Sequence, residues 1–182
     1  RPDNAAVLAR MAMAWFQMGE YPRAREACHQ ALLADPDNVA ARHALGCTLL
    51  EEGDPNEALK MFREALRDDP SHMPSYTEMV RTRRLGGDLR WLTQALQAEV
   101  RGFDHLSPGA MVEERALTRK RVATLIDELA TLGEDAASII LEALPLTHDE
   151  GLRFQLWEAS CRVAQKVVSD GTCGRLREPT RW

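Results

Sequence analysis

The chain matches itself when displaced by 34 residues, and this internal period constrains its fold more than any other feature. Asp35-Pro36 recurs as Asp69-Pro70, Gly19 as Gly53 and Gly87, Ala24 as Ala58, Ala31 as Ala65, Leu32 as Leu66, and Met11 as Leu45 and Met79. Cys28 is answered by Phe62, and Leu8 by Tyr76 two periods on. A period of this length marks stacked supersecondary units, each too small to bury its apolar face alone.

The recurring residue types fit a helix–turn–helix unit. Gly19 and Gly53 stand where one helix stops and reverses, a position that needs a left-handed residue. Asp54-Pro55-Asn56-Glu57 reads as an N-cap, a Pro in the first turn and a Glu three residues after the cap. Ala24 and Ala58 fall where paired helices touch, and small side chains there let the backbones approach. Asp35-Pro36 and Asp69-Pro70 close the second helix of each unit, because Pro lacks the N–H and drives its predecessor out of helical geometry.

On these residues, stretches 5–38 and 39–72 resemble two tetratricopeptide repeats. The positions that carry the resemblance are Ala12 or Gly46, Trp15 or Leu49, Ala24 or Ala58, Phe62, Ala31 or Ala65, and Pro36 or Pro70. The family's Trp near the repeat start is Leu8 in the first unit and Arg42 in the second, and its large residue late in the second helix is Cys28 in the first. Residues 73–105 begin as a third unit with Tyr76, Met79 and Gly86-Gly87-Asp88. That unit is degenerate, with Leu92 in place of the small Ala and no closing Pro.

Beyond residue 105 the period breaks. Ser107-Pro108 predicts a helix start, and Val122, Leu125, Ile126, Leu129 and Leu132 keep helical spacing until Gly133. A short helix follows, with Ala136, Ile139, Ile140, Ala143 and Leu144 on one face. Thr147-His148-Asp149-Glu150 reads as a capping box opening a last helix to about Ser169. Two adjacent stripes on it, Leu152, Leu156, Val163, Val167 and Trp157, Cys161, Ala164, Val168, predict a helix packed between neighbours. Residues 134–169 resemble one HEAT-type repeat, with Leu152-Arg153 as its hydrophobic-Arg pair and Thr147 where that family carries Asp. The expected fold is thus all-α, a right-handed α-solenoid of antiparallel helix pairs. Its parts are tetratricopeptide-like repeats over 5–105, a HEAT-like extension over 107–170, and a tail or linker over 171–182.

Composition agrees with close-packed helices. Only 5% of residues are aromatic, so the core is built from Ala, Leu, Val and Met rather than from the β-branched and aromatic runs of a sandwich. The net charge of −5 argues against a dedicated nucleic-acid partner. Charge is uneven, however: residues 71–121 hold 9 Lys and Arg against 6 Asp and Glu, while both flanks are acidic. This basic middle includes Arg81, Arg83, Arg84 and Arg90, with Arg115, Arg119, Lys120 and Arg121 as a candidate patch; no aromatics interleave to stack bases. No apolar run is long enough to cross a membrane. Four well-separated cysteines read as reduced thiols of a cytoplasmic protein. The start at Arg1 without Met and the irregular end at Trp182 suggest a piece of a longer protein.

Catalytic and metal chemistry lack a constellation. Cys28 and His29 are adjacent and therefore diverge on a helix, and Cys161 lies on an apolar stripe. His148, Cys161 and Cys173 lack paired metal-ligand spacing, and Gly86-Gly87 has no Lys-Ser/Thr behind it to hold phosphate. The expectation is a non-enzyme with no cofactor and no metal. The tetratricopeptide resemblance implies a ligand on the concave face formed by the first helix of each pair. Its positions read Ala9, Met13 and Phe16, then His43, Cys47 and Leu50, then Thr77, Arg81 and Arg84. Ala9 and Met13 replace the Lys and Asn of the family's carboxylate clamp, so the track suits an apolar peptide or helix with an acidic end. The expected role is a protein-binding scaffold or regulatory module. The alternative is the sensory arm of a larger enzyme, such as a protease or nuclease, whose catalytic domain lies outside this sequence.

Overall fold

The computed structural model describes residues 2–106 and 112–169, and every regular element among them is helical. The expected helix start at Ser107-Pro108, Cys173 and the tail 171–182 lie outside the described residues, as do the side chains of Val167 and Val168. The chain divides into two compact units between Gly87 and Asp88.

The first unit contains α1 (Pro2–Gln17), α2 (Tyr21–Ala34), α3 (Val39–Glu51), α4 (Pro55–Asp68) and α5 (Met73–Leu85). Helices α1 with α2 and α3 with α4 form pairs, and α3 also packs on α1 and α2, as α5 does on α4 and α3. Gly19 and Gly53 turn the chain within each pair at φ of 77° and 89°, where a Cβ would be strained. The helix starts repeat too. Asn38 accepts from the Ala41 N–H at 3.0 Å and Asp54 from the Glu57 N–H at 3.2 Å, with Pro55 in the first turn. At the matching position after α4, the cap is the His72 ring, whose Nδ1 accepts from the Ser75 N–H at 3.3 Å. The second helices end as the Asp-Pro pairs dictate, with Asp35 and Asp69 extended at φ of −149° and −132°.

The core of this unit is the repeated set. Ala24, Ala31, Ala58, Ala65, Cys28 and Phe62 are all fully buried. Gly46 permits the closest approach of α3 and α4, since a Cβ there would lie 2.5 Å from the Phe62 ring. Arg42, standing where the repeat family carries Trp, is buried as well. Its guanidinium donates to the Pro36 carbonyl and pairs with Asp37, Glu64 and Asp68, so an ionic clamp joins α3 to α4 where an indole would pack.

The second unit contains α6 (Leu89–His105), α7 (Val112–Leu129), α8 (Glu134–Ala143) and α9 (Glu150–Ser169), with 3-10 turns at Ala130–Leu132 and Leu144–Leu146. Val122, Leu125, Ile126 and Leu129 are buried as their spacing predicts, whereas Leu132 falls in the turn before Gly133 and is exposed. Two expectations for α9 are corrected. Leu152, Leu156 and Val163 are buried, but Trp157 is exposed and Cys161 and Ala164 are half-buried, so one stripe is packed and not two. The cap of α9 is Asp149, which accepts from the Leu152 N–H at 2.8 Å, and not Thr147. The Thr147 hydroxyl is already engaged, donating to Asp104 at 2.6 Å and accepting from the Asp149 N–H at 3.1 Å. Asp104 also accepts from the His148 N–H at 2.7 Å and so pins the α8–α9 connection to α6. Burial works against ionisation of Asp104, but these donated hydrogen bonds prevail and hold its carboxyl below the usual range.

Candidate functional site: a cleft between α3 and α5

A cleft of about 390 Å³ lies between α3 and α5, with α3 contributing Leu50 and Glu51 and α4 contributing its first residue, Pro55. Its other wall is the last two turns of α5 with its cap, through Glu78, Arg81, Thr82, Leu85 and Gly86. The wall exists because α5 stops at the Gly86-Gly87 pair, leaving Leu85 largely in solvent at the helix end. Apolar and charged side chains thus line one cleft, the usual composition of a recognition site. Arg81 is exposed and lies 3.9 Å from Glu78 one turn back, an i,i+3 pair too solvated to consume the charge.

Of the nine groove positions read from the sequence, Leu50 and Arg81 meet in this cleft. Met13 and Phe16, on α1, do not line it; Met13 packs partly against the core of the first two pairs and Phe16 lies 5.9 Å from the Tyr21 ring. Ala9 is not a surface position: its methyl is buried between Ala31 and Ala41, at the contact of α1 and α2 with α3. Cys47 is buried too, and burial pushes its thiol up to about 12, reinforced by the charge of Glu78. Thr77 and Arg84 are half-buried on α5. Glu51, Pro55 and Leu85 were missed in the sequence because they belong to helix ends and a turn, where periodicity carries no signal. Leu85 was nonetheless legible as a large apolar residue placed at a helix stop.

His43 is the groove residue with the most defined surroundings. Its Nε2 lies 3.6 Å from the Cys47 sulfur and its Nδ1 3.3 Å from the Ser75 hydroxyl, which in turn lies 2.9 Å from Nδ1 of His72. The two imidazoles meet edge to face at 5.3 Å. Because the Ser75 N–H donates to His72 Nδ1, that nitrogen is an acceptor and His72 is neutral. The chain of contacts is consistent when Cys47 donates to His43, His43 to Ser75 and Ser75 to His72. Burial lowers the His43 pKa to about 4, with the nearby His72 acting in the same direction. Burial thus favours a protonated thiol beside a neutral imidazole, and the cluster packs α3 against α5. The one sequence signal for it was His72, placed 34 residues after the Asn38 cap.

The basic positions of α7 are largely engaged inside their own unit. Arg115 and Arg119 lie over the Phe103 ring at 5.1 and 5.3 Å, and Arg119 also donates to Asp149 at 3.3 Å. Arg121 pairs with Glu99 at 3.5 Å, while Lys120 extends into solvent.

Residues 3–71 match the family model of the tetratricopeptide repeat. The matched segment runs from α1 to the end of α4. Among solved structures, one reported as molecular features of the UNC-45 chaperone critical for binding and folding muscle myosin is 16% identical at a TM-score of 0.44, covering 93% of this chain and 20% of that one. The chain therefore spans about a fifth of the UNC-45 chain. A protein of Bacteroides ovatus named for protein binding is 15% identical at a TM-score of 0.39, covering 90% of this chain and 74% of that one. No helix among the described residues is long and apolar enough to cross a membrane.

Proposed function

We propose that this chain is a protein-interaction module of the cytoplasm that holds a partner helix or peptide in the α3–α5 cleft, and that it is not itself an enzyme. The observation that carries this reading is the juxtaposition of Leu50 and Leu85 with Arg81 around one opening. An aliphatic or aromatic side chain of the partner enters between the two leucines, and a carboxylate beside it meets Arg81. Glu51 and Glu78 line the same cleft, so the electrostatic attraction is modest and burial of apolar surface supplies most of the affinity.

Peptides selected from a displayed library on the intact chain provide the ligands for a test. Leu85→Ala should weaken their binding about tenfold, the equivalent of losing about 1.4 kcal/mol of apolar contact, at any salt concentration. Arg81→Glu should weaken it most at low ionic strength, where screening is least. Selected peptides that bind both variants as they bind the original chain would place the ligand elsewhere and end this reading. Phe16→Ala, on the neighbouring first helix, then reports whether the ligand runs along α1 instead.

A further inference from the structure

Helices α3 and α5 occupy the same register of the 34-residue period, so position 72 before α5 corresponds to position 38 before α3. At 38 the residue is Asn, whose side-chain oxygen caps α3 by accepting from the Ala41 N–H. At 72 it is His, and the imidazole caps α5 through Nδ1, which accepts from the Ser75 N–H at 3.3 Å. The caps of α4, α6 and α9 are the carboxylates of Asp54, Asp88 and Asp149. Among the described helices with a side-chain cap, α5 therefore differs from the rest in depending on a group that gains a proton near neutral pH.

An imidazole caps a helix only while its Nδ1 carries no hydrogen. Protonation turns that nitrogen into a donor facing the Ser75 N–H, and sets a positive charge at the positive end of the helix dipole. The Ser75 hydroxyl, 2.9 Å from the same nitrogen, relieves this in part by accepting the new proton, but the backbone N–H loses its acceptor. Ser75 is fully buried, so the lost bond is not replaced by bulk water. Across the interface stand the His43 ring, at 5.3 Å, and Cys47 behind it, with Glu78 of α5 and Cys28 of α2 acting on that thiol. Burial lowers the His72 pKa and outweighs Asp69, the carboxylate at the end of α4 that favours the charged ring. The cap is thus intact at neutral pH and is lost as pH falls below 6.5. Little else holds the start of α5 in helical form: it is 13 residues long, and Thr77, Val80 and Thr82 are β-branched.

We infer that His72 is an acid-sensitive latch, whose protonation uncaps α5 and frees the start of this helix from α3. The other end of α5 carries Arg81, Thr82 and Leu85, so ligand capture weakens when the helix loosens. That consequence rests on the α3–α5 cleft being the binding site, whereas the release of α5 does not.

Hydrogen exchange of the intact chain at about pH 7.5 and about pH 5, referred to intrinsic rates, tests the latch without any ligand. The amides of α5 should lose roughly fivefold of their protection in acid, the effect of a lost cap, while those of α2 change little. His72→Asn, which installs the cap of the preceding repeat, should keep α5 equally protected at both pH values, and so should His72→Asp. An acid loss that persists in both variants would assign the effect to His43 and overturn the inference. Protection of α5 that does not vary with pH would overturn it too, as would a loss shared equally by α1 to α4. Histidine-free peptides selected on the chain should bind it more weakly in acid, and should bind His72→Asn alike at both pH values. If Leu85→Ala leaves those peptides bound as before, the cleft reading fails while the exchange result still decides the latch.

Discussion

At the scale of single residues, two glycines in helices make opposite predictions. Gly46 sits in α3 where a Cβ would approach the buried Phe62 ring to 2.5 Å, and neither helix can retreat without opening the core around Cys28 and Ala44. Gly46→Ala should therefore destabilise the fold by about 1–3 kcal/mol through overpacking, reduced by the roughly 1 kcal/mol that Ala gains over Gly in a helix. Gly102 sits in α6 with nothing within 4 Å of the Cβ position. Gly102→Ala should stabilise by about 0.5–1 kcal/mol, and urea unfolding of the two variants beside the original chain checks both signs. The sequence showed Gly46 as an occupant of the family's small-residue position. The ring that makes it indispensable comes from α4, sixteen residues on.

Among the elements, the helix pairs were the most legible part of the molecule, because their signals are local: a left-handed Gly, an Asn or Asp cap, a closing Pro. Ala58, fully buried in α4, stands where the sequence predicts that paired helices touch. Ala58→Leu should cost about 1–3 kcal/mol, and a neutral result in thermal unfolding would contradict the packing of α3 on α4. The contact of α3 with α5 has a pH signature. Folding lowers the His43 pKa from 6.5 to about 4, with burial the leading cause, and lowers that of His72 as well. Between these values the unfolded chain binds more protons than the folded one, so stability is full above pH 6.5 and falls as pH drops towards 4. The slope is at most about 1.4 kcal/mol per pH unit for each group, and less for rings that stay partly solvated. Chemical denaturation at stepped pH should reveal this limb, and His43→Gln should flatten it. The cap of α9 was read two residues early because Thr147 and Asp149 both satisfy the cap pattern, and only the distant Asp104 selects between them.

At the scale of the whole molecule, circular dichroism should report helix without strand, and a strand signal would contradict every element described here. The sequence by itself determined that the chain is a series of helix pairs, where each pair turns, and which alanines lie between helices. These are properties of neighbouring residues and of a repeat that states them twice. It did not determine which members of an apolar stripe are covered. Ala9 and Met11 are both apolar residues of α1, yet one is buried and the other open; Leu156 and Trp157 belong to adjacent stripes, yet only the first is packed. Nor did it place Leu85 beside Leu50, or give Arg42 and Arg119 their carboxylate partners. Burial and charge pairing depend on which surface arrives from elsewhere in the chain, and helical periodicity specifies the direction of a side chain without specifying what stands there to meet it.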